Sequence, residues 1–162
     1  MIRKHKKYSK PRKPFEKKRI EEENELIRKY GLKSKREIWK ANAQVTKMRS
    51  RAKDLIQADN EEREKFFNKL KKSGFKVNST SDVLALTKED YLNRRLQTVV
   101  FKRSLANSPK MARQMITHKN VLVEGRVVSS PSYIVPLDLE DKIKLKKIFI
   151  KNTEKEIAIA NG

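Results

Sequence analysis

The sequence has no cysteine, only four glycines and no long apolar run. Without cysteine the chain can form neither a disulfide nor a thiolate metal site. No stretch approaches the roughly 20 apolar residues that a membrane-spanning helix needs. The N-terminus is basic but has no apolar segment behind it, so we expect no secretory signal. Because the four glycines are scattered, the chain also lacks a glycine-rich phosphate-binding loop.

Groups that could catalyse a reaction are equally few. The two histidines, His5 and His118, are too few for a metal cluster. The acidic runs at residues 21–23 and 138–141 are interpreted as exposed acids, not as a buried pair with separated pKa values. We therefore expect a protein that binds without turnover and uses no cofactor, no metal and no small-molecule substrate.

What the sequence has in excess is positive charge. Forty-one lysines and arginines face 20 acidic residues, which gives a net charge of +21 over 162 residues. Self-repulsion at this charge destabilises a compact isolated monomer, and a polyanion is the natural counter-charge. A basic peripheral membrane protein is the alternative, but no long amphipathic helix with an aromatic apolar face is evident. We therefore expect a nucleic-acid partner and no membrane, with one ordinary domain or two small ones.

The first 20 residues contain ten basic residues and a single acid, Glu16. Such a run cannot bury enough apolar area to fold alone. We interpret residues 1–14 as an arm that enters RNA, with Tyr8 available to stack on a base. A solvated charged tail and a nuclear localisation signal are the alternatives. The arm residues expected to bind RNA are Lys6, Lys7, Tyr8, Arg12 and Lys13.

Helical periodicity dominates residues 15–86. It predicts helices over residues 14–30, 34–57 and 59–74, and a brief helical turn over residues 82–86. Gly31 is suited to be a left-handed C-cap residue, and Ser34 with Glu37 predicts a capping box. Asp59 with Glu62 predicts a cap on the third helix.

Three charged or aromatic features of this region have two interpretations each. Lys47, Arg49 and Arg51 either contact RNA, which we favour because they cluster, or form a solvated face. The acidic cluster at residues 21–23 either pairs with nearby lysines of its own helix or contacts a basic neighbouring protein. Trp39 is interpreted as a packing residue in preference to a base-stacking platform.

From Thr87 onward the pattern indicates two helices followed by a tight strand pair. Thr87 with Asp90 opens the first helix, whose inner stripe runs from Leu92 to Val100. Ser108 followed by Pro109 opens the second. The period then changes to two, with a hairpin turn at residues 124–125 and a further strand within residues 141–150. The start of the second helix, beside Lys110 and Arg113, is a suitable phosphate site because helix N-termini carry positive charge.

Short fragments of this stretch resemble a known RNA-binding module, that of the small-subunit ribosomal protein S-four family in its archaeal and eukaryotic branch. The fragments are Arg95-Leu96-Gln97, Leu105-Ala106-Asn107-Ser108, Ala112-Arg113-Gln114, Ile116-Thr117-His118, Val123-Glu124-Gly125-Arg126-Val127 and Ser130-Pro131-Ser132-Tyr133. The resemblance extends upstream through residues 30–32 and 35–39. It departs from the family pattern at Ser104 and Lys119, where glycine is usual, and at Glu124, where asparagine is usual. Because glutamate accepts positive φ poorly, the turn type stays open.

The resemblance implies an α+β, mostly helical fold. A helical subdomain over residues 15–86 precedes the module over residues 87–150, which has a short antiparallel sheet, and a tail follows over residues 151–162. It also implies a cytoplasmic structural constituent of the small ribosomal subunit that binds small-subunit rRNA through phosphates and shape and supports early assembly. Neighbouring subunit proteins, including protein S-five, are the implied protein partners.

Two other functions are compatible with such a module. A free-standing RNA-binding factor of the ribosome-rescue or heat-shock type would not be expected to carry the upstream helices. An RNA-modifying enzyme would need a catalytic domain, for which no residues remain. The module residues expected to bind RNA are Arg95, Lys102, Arg103, Ser108, Lys110, Arg113, Gln114, His118, Lys119, Arg126, Ser132 and Tyr133.

Overall fold

A computed structural model describes residues 8–146 of the chain. Contacts divide the chain between Arg94 and Arg95 into two compact units. The arm residues Lys6 and Lys7 and the proposed tail over residues 151–162 lie outside the described range. Each unit has its own apolar core.

In the first unit the elements are helices α1 (Lys17–Tyr30), α2 (Lys35–Asp54), α3 (Asn60–Lys72), α4 (Thr80–Ala85) and α5 (Lys88–Asn93). The long helix α2 is central, because its first half and its second half pack into two different apolar clusters. Ile38 and Ala41 join Leu26 and Leu92, whereas Val45 joins the cluster contributed by α3, α4 and the residues between them. A stripe with alternating spacings of three and four therefore serves two cores.

The caps of these helices differ from the sequence-based expectations at the starts of α2 and α3, where the predicted side-chain caps are both absent. Gly31 ends α1 with φ +59°, as predicted. Ser34 begins α2, but its side chain makes no capping hydrogen bond, and Glu37 accepts from the Lys33 amide at 3.1 Å instead. The predicted capping box there is therefore wrong. Asp59 likewise begins α3 without a side-chain capping hydrogen bond.

In the second unit the elements are α6 (Leu96–Lys102), α7 (Pro109–Thr117), β1 (Val121–Val123), β2 (Arg126–Val127), α8 (Leu137–Glu140) and β3 (Ile143–Leu145). The three strands form an antiparallel sheet in the order β2-β1-β3. The sheet packs with α6 and α7 around a core that includes Leu96, Ile116 and Val121. The α+β, mostly helical fold class is therefore confirmed, including the third strand. The short helix α8 was not predicted.

The helix expected to run from Thr87 past Val100 is two helices, so the single-helix prediction is wrong. The predicted capping box of Thr87 with Asp90 does open α5, but Arg95 has extended backbone, with φ −71° and ψ 142°. The Leu96 amide donates to the Tyr133 carbonyl at 2.7 Å. Because the amide is paired with a distant segment instead of the preceding turn, the helix must restart there.

In the described range, three non-glycine residues have left-handed backbone: Ser104 (φ +55°), Lys119 (φ +61°) and Glu124 (φ +49°). They are the same three positions at which the sequence departs from the family pattern. At the hairpin, Glu124 and Gly125 (φ +78°) both have positive φ, which is the signature of a type I′ turn. The fold therefore tolerates some backbone strain at these positions.

Candidate nucleic-acid interface

The start of α7 has a side-chain cap, and cationic residues lie on its first turns. The Ser108 Oγ accepts a hydrogen bond from the Met111 amide at 3.1 Å, and Pro109 occupies the first helical position. The first turn contains no acidic side chain, so the positive end of the helix dipole is not neutralised locally. Lys110 is exposed and Arg113 is half-buried. A capped helix start with two cations on its first turns is a suitable phosphate site.

Gln97 connects this helix start to the core of the unit. Its side chain is only 1% exposed. The amide nitrogen Nε2 donates to the Pro109 carbonyl at 2.9 Å, and the oxygen Oε1 accepts from Arg113 Nη1 at 3.3 Å. Gln97 was not among the expected site residues. The sequence offers one sign of its role, because Gln97 is a polar residue directly after Leu96 of the apolar stripe. Leu96 is fully buried in the structure.

One exposed face of α7 carries three of the expected residues. Lys110, Gln114 and His118 are spaced four apart, so they lie on the same side of the helix and its C-cap, and all three are exposed. The Thr117 hydroxyl donates to the Gln114 carbonyl at 2.9 Å and so fixes the last turn. This face offers one cation and two hydrogen-bonding side chains to a partner.

Beyond α7, two further cations that were expected to bind RNA are exposed. Lys119 follows the helix in left-handed conformation, and Arg126 lies on the edge strand β2. In the hairpin turn, Glu124 Oε1 accepts a hydrogen bond from the Lys142 ammonium at 2.8 Å, which lowers the pKa of Glu124 below its ordinary value. The same contact raises the pKa of Lys142. The one acid of the hairpin is thus paired, and the charge of Arg126 is left in excess there.

Three expected RNA-binding residues of the module make internal contacts. Arg95 is 5% exposed and its backbone pairs with Ile134. The Arg103 guanidinium donates to the Asp141 carboxylate at 2.7 Å and to the Glu140 carbonyl, so it ties the end of α6 to α8. Tyr133 packs partly buried against the core.

The remaining module residues are exposed. Lys102 lies at the end of α6. Ser132 is exposed, and its hydroxyl lies 3.2 Å from that of Ser130.

In the first unit the expected residues are also divided between exposed and internal positions. Lys47, Arg12 and Lys13 are exposed. The Arg49 guanidinium donates to the Leu86 carbonyl at 2.5 Å. Arg51 lies 3.8 Å from the Glu62 carboxylate, with both side chains more than half exposed.

The aromatic residue of the arm, Tyr8, packs beside Trp39 of α2. Tyr8 is half-buried, and its ring centroid lies 6.0 Å from that of Trp39 in a tilted arrangement.

The acidic cluster of α1 contains one buried carboxylate. Glu23 is 4% exposed, and its Oε1 accepts from Trp39 Nε1 at 2.9 Å and from Arg19 Nη1 at 2.8 Å. Lys35 Nζ lies 3.5 Å from the other oxygen. Burial by itself raises the pKa of Glu23, but the bonds from Trp39 and Arg19 and the nearby positive charges outweigh it, so the pKa lies below its ordinary value.

Two other kinds of functional feature, a metal site and a membrane-spanning helix, are absent from residues 8–146. In that range no three His, Cys, Asp or Glu side chains are grouped so as to hold a metal ion. Nor does this described part of the chain contain a helix that is long and apolar enough to cross a membrane.

Comparison with known proteins agrees with the geometry. The family model described as the S4 domain matches residues 94–141. Small ribosomal subunit protein uS4 of Thermoplasma volcanium is 47% identical over 148 residues, which are 86% of this chain and 74% of that protein. The protein of the same name from Korarchaeum cryptofilum is 41% identical over 96% of this chain and 98% of its own length. That from Methanothermobacter thermautotrophicus is 45% identical over 85% and 84%. Relatives this similar over most of both chains leave one assignment: this chain belongs to the small ribosomal subunit protein uS4 family.

Proposed function

We propose that this protein is a structural constituent of the small ribosomal subunit that binds small-subunit rRNA and supports early subunit assembly. The observation that carries the proposal is the capped start of α7, where buried Gln97 holds both Pro109 and the Arg113 guanidinium. Membership in the uS4 family and the net charge of +21 support the same conclusion. The proposed role is binding, without turnover.

The binding energy in this mechanism comes mainly from phosphate contacts. Each phosphate that a lysine or arginine neutralises releases condensed counterions, so affinity falls steeply with added salt. The capped helix and the type I′ hairpin supply a fixed shape around those charges. Folded rRNA is read through the geometry of its backbone and its irregular regions more than through base edges in a helix.

The proposed contacts divide by accessibility. Exposed side chains act directly, and half-buried Arg113 acts from the position that Gln97 gives it. Arg95, Arg103 and Tyr133 are proposed to support the binding surface through their internal contacts. The exposed residues proposed to touch RNA are Lys102, Lys110, Gln114, His118, Lys119, Arg126 and Ser132 in the second unit, and Arg12, Lys13, Lys47 and Arg51 in the first.

Contact with neighbouring subunit proteins, including protein S-five, is part of the proposal. Glu21, Glu22 and Glu25 on α1 are exposed, in contrast to buried Glu23. Lys17 lies 4.0 Å from Glu21, whereas Lys29 pairs with Glu89 of α5 at 2.6 Å instead of with this cluster. An exposed acidic face on a strongly basic protein suits a basic protein neighbour.

The test is a competition experiment over a salt series. Full-length protein is titrated with small-subunit rRNA in the presence of excess tRNA. Tight binding that survives tRNA, with a steep log–log salt slope, is expected. Equal affinity for both RNAs would contradict a dedicated rRNA partner and leave only a non-specific polycation.

A further inference from the structure

Phe15 is an aromatic side chain that the fold does not use. It lies just before α1 and is 91% exposed. By comparison, Phe75 is buried and Phe66 and Phe67 pack partly buried against a core. A large apolar ring held in water contributes no burial energy to folding, so the ring of Phe15 stays available to a binding partner.

The position of Phe15 is fixed by hydrogen bonds. Arg19 Nη2 donates to the carbonyls of Lys13 and Pro14 at 2.8 and 2.9 Å. The other nitrogen of the same guanidinium, Nη1, donates to buried Glu23, which also accepts from Trp39 of α2. The backbone immediately before Phe15 is therefore tied through Arg19 and Glu23 to two helices. The ring is presented from an ordered segment.

The surroundings of Phe15 are cationic. Arg12, Lys13, Lys17 and Lys18 are all exposed, and Glu16 is the one acid within this stretch. A protein partner that buried the ring would also have to desolvate these charges. Single-stranded nucleic acid satisfies both features, because its bases stack on aromatic rings while its phosphates pair with the flanking cations.

We propose that Phe15 is a stacking platform for one unpaired base of the bound RNA, with Arg12, Lys13, Lys17 and Lys18 holding the phosphates on either side. The proposal rests on the proposed rRNA-binding function and adds a base-stacking site to it. Tyr8, which the sequence favoured for this role, packs against Trp39 at 6.0 Å and is half-buried. Phe15 takes the role because its ring is accessible.

The experiment uses the full chain and a short single-stranded oligoadenylate that carries one 2-aminopurine. Stacking on Phe15 quenches or shifts the fluorescence of that base. Phe15→Ala is expected to abolish the fluorescence change and to weaken binding about tenfold, within the range measured for loss of one base–aromatic stack. Phe15→Tyr keeps both, because it keeps the ring. Phe15→Leu behaves like alanine, since an aliphatic side chain offers no aromatic face.

Ile56→Ala is the matched control, because Ile56 is also an exposed apolar residue, at 54%. It is expected to leave fluorescence and affinity unchanged. The salt slope stays the same in all Phe15 variants, because no cation is removed. Circular dichroism checks that each variant folds, which is expected because Phe15 buries almost nothing.

Unchanged fluorescence and affinity in Phe15→Ala would overturn the stacking proposal. Full affinity in Phe15→Leu would overturn it as well, by showing a general apolar contact. Failure of the proposed function has a different signature: the unmodified protein would then fail to prefer rRNA over tRNA, whatever the Phe15 variants do with oligoadenylate.

Discussion

Gln97 and Arg113 are joined across helices α6 and α7 of the second unit. The buried amide oxygen of Gln97 accepts from the Arg113 guanidinium at 3.3 Å, while its nitrogen donates to the carbonyl of Pro109 at 2.9 Å. One side chain thus fixes both the start of α7 and a cation beside it. The proposed phosphate site therefore depends on a residue that is itself buried in the core.

Replacing Gln97 with methionine keeps the volume but removes both hydrogen bonds. We expect a loss of about 1–3 kcal/mol in the free energy of unfolding, because the bonds of Gln97 to the Pro109 carbonyl and to the Arg113 guanidinium are removed, together with weaker rRNA binding. Urea denaturation and RNA titration measure the two effects. Gln114→Met, on the exposed face of α7, is the matched control and should change stability little. An unchanged unfolding midpoint in Gln97→Met would contradict the assigned role.

Replacing Arg113 and Arg126 together with alanine should weaken rRNA binding while helicity is retained. If each arginine neutralises one phosphate, the log–log salt slope becomes shallower by roughly 0.7–0.9 for each residue removed. The control is Arg103→Ala, because Arg103 is engaged with Asp141 and Glu140. That control should affect the stability of the second unit more than the salt slope. Equal affinities of the double variant and the unmodified protein would refute this site.

Ser104 and Lys119 both have left-handed backbone, but only Lys119 is a proposed RNA contact. Substitutions at these two positions therefore distinguish an effect on backbone strain from an effect on RNA binding. Ser104→Gly and Lys119→Gly should each stabilise the fold by up to about 1 kcal/mol, because glycine adopts positive φ without the steric cost. Only Lys119→Gly should also weaken rRNA binding, since it removes an exposed cation. Thermal unfolding and RNA titration of the two variants provide the comparison. If Lys119→Gly bound rRNA as tightly as the unmodified protein, Lys119 would not be an RNA contact.

The Glu23 cluster predicts a pH dependence of stability. Because the folded-state pKa of Glu23 lies below its ordinary value of 4.5, the ionised form is the one that stabilises the fold. Its contribution is complete above about pH 4.5 and is lost as the pH falls through the lower folded-state pKa. Glu23→Gln should therefore be less stable than the unmodified protein at neutral pH, and the difference should shrink in acid. Urea unfolding at a series of pH values tests this, and a constant difference would contradict it.

Local chemistry was readable in the sequence at several places where both partners are near neighbours, although the equally local side-chain caps predicted at Ser34 and Asp59 are absent. The left-handed cap at Gly31, the Thr87–Asp90 capping box and the Ser108–Pro109 helix start all involve residues within a few positions of each other. The location of the hairpin turn followed from the change in hydrophobic period. Net charge and the density of cations indicated the class of partner without any structure.

The tertiary structure decided which polar side chains face inward. The break before α6 depends on Leu96 pairing with Tyr133, far along the chain. Glu23 and Trp39, like Gln97 and Arg113, are 16 residues apart and lie on different helices, so no local pattern distinguishes Glu23 from the exposed acids beside it. A sequence fixes composition, period and short-range hydrogen bonds. Burial of a charge or an amide requires a partner delivered by another element, and only the packed fold determines which partner that is.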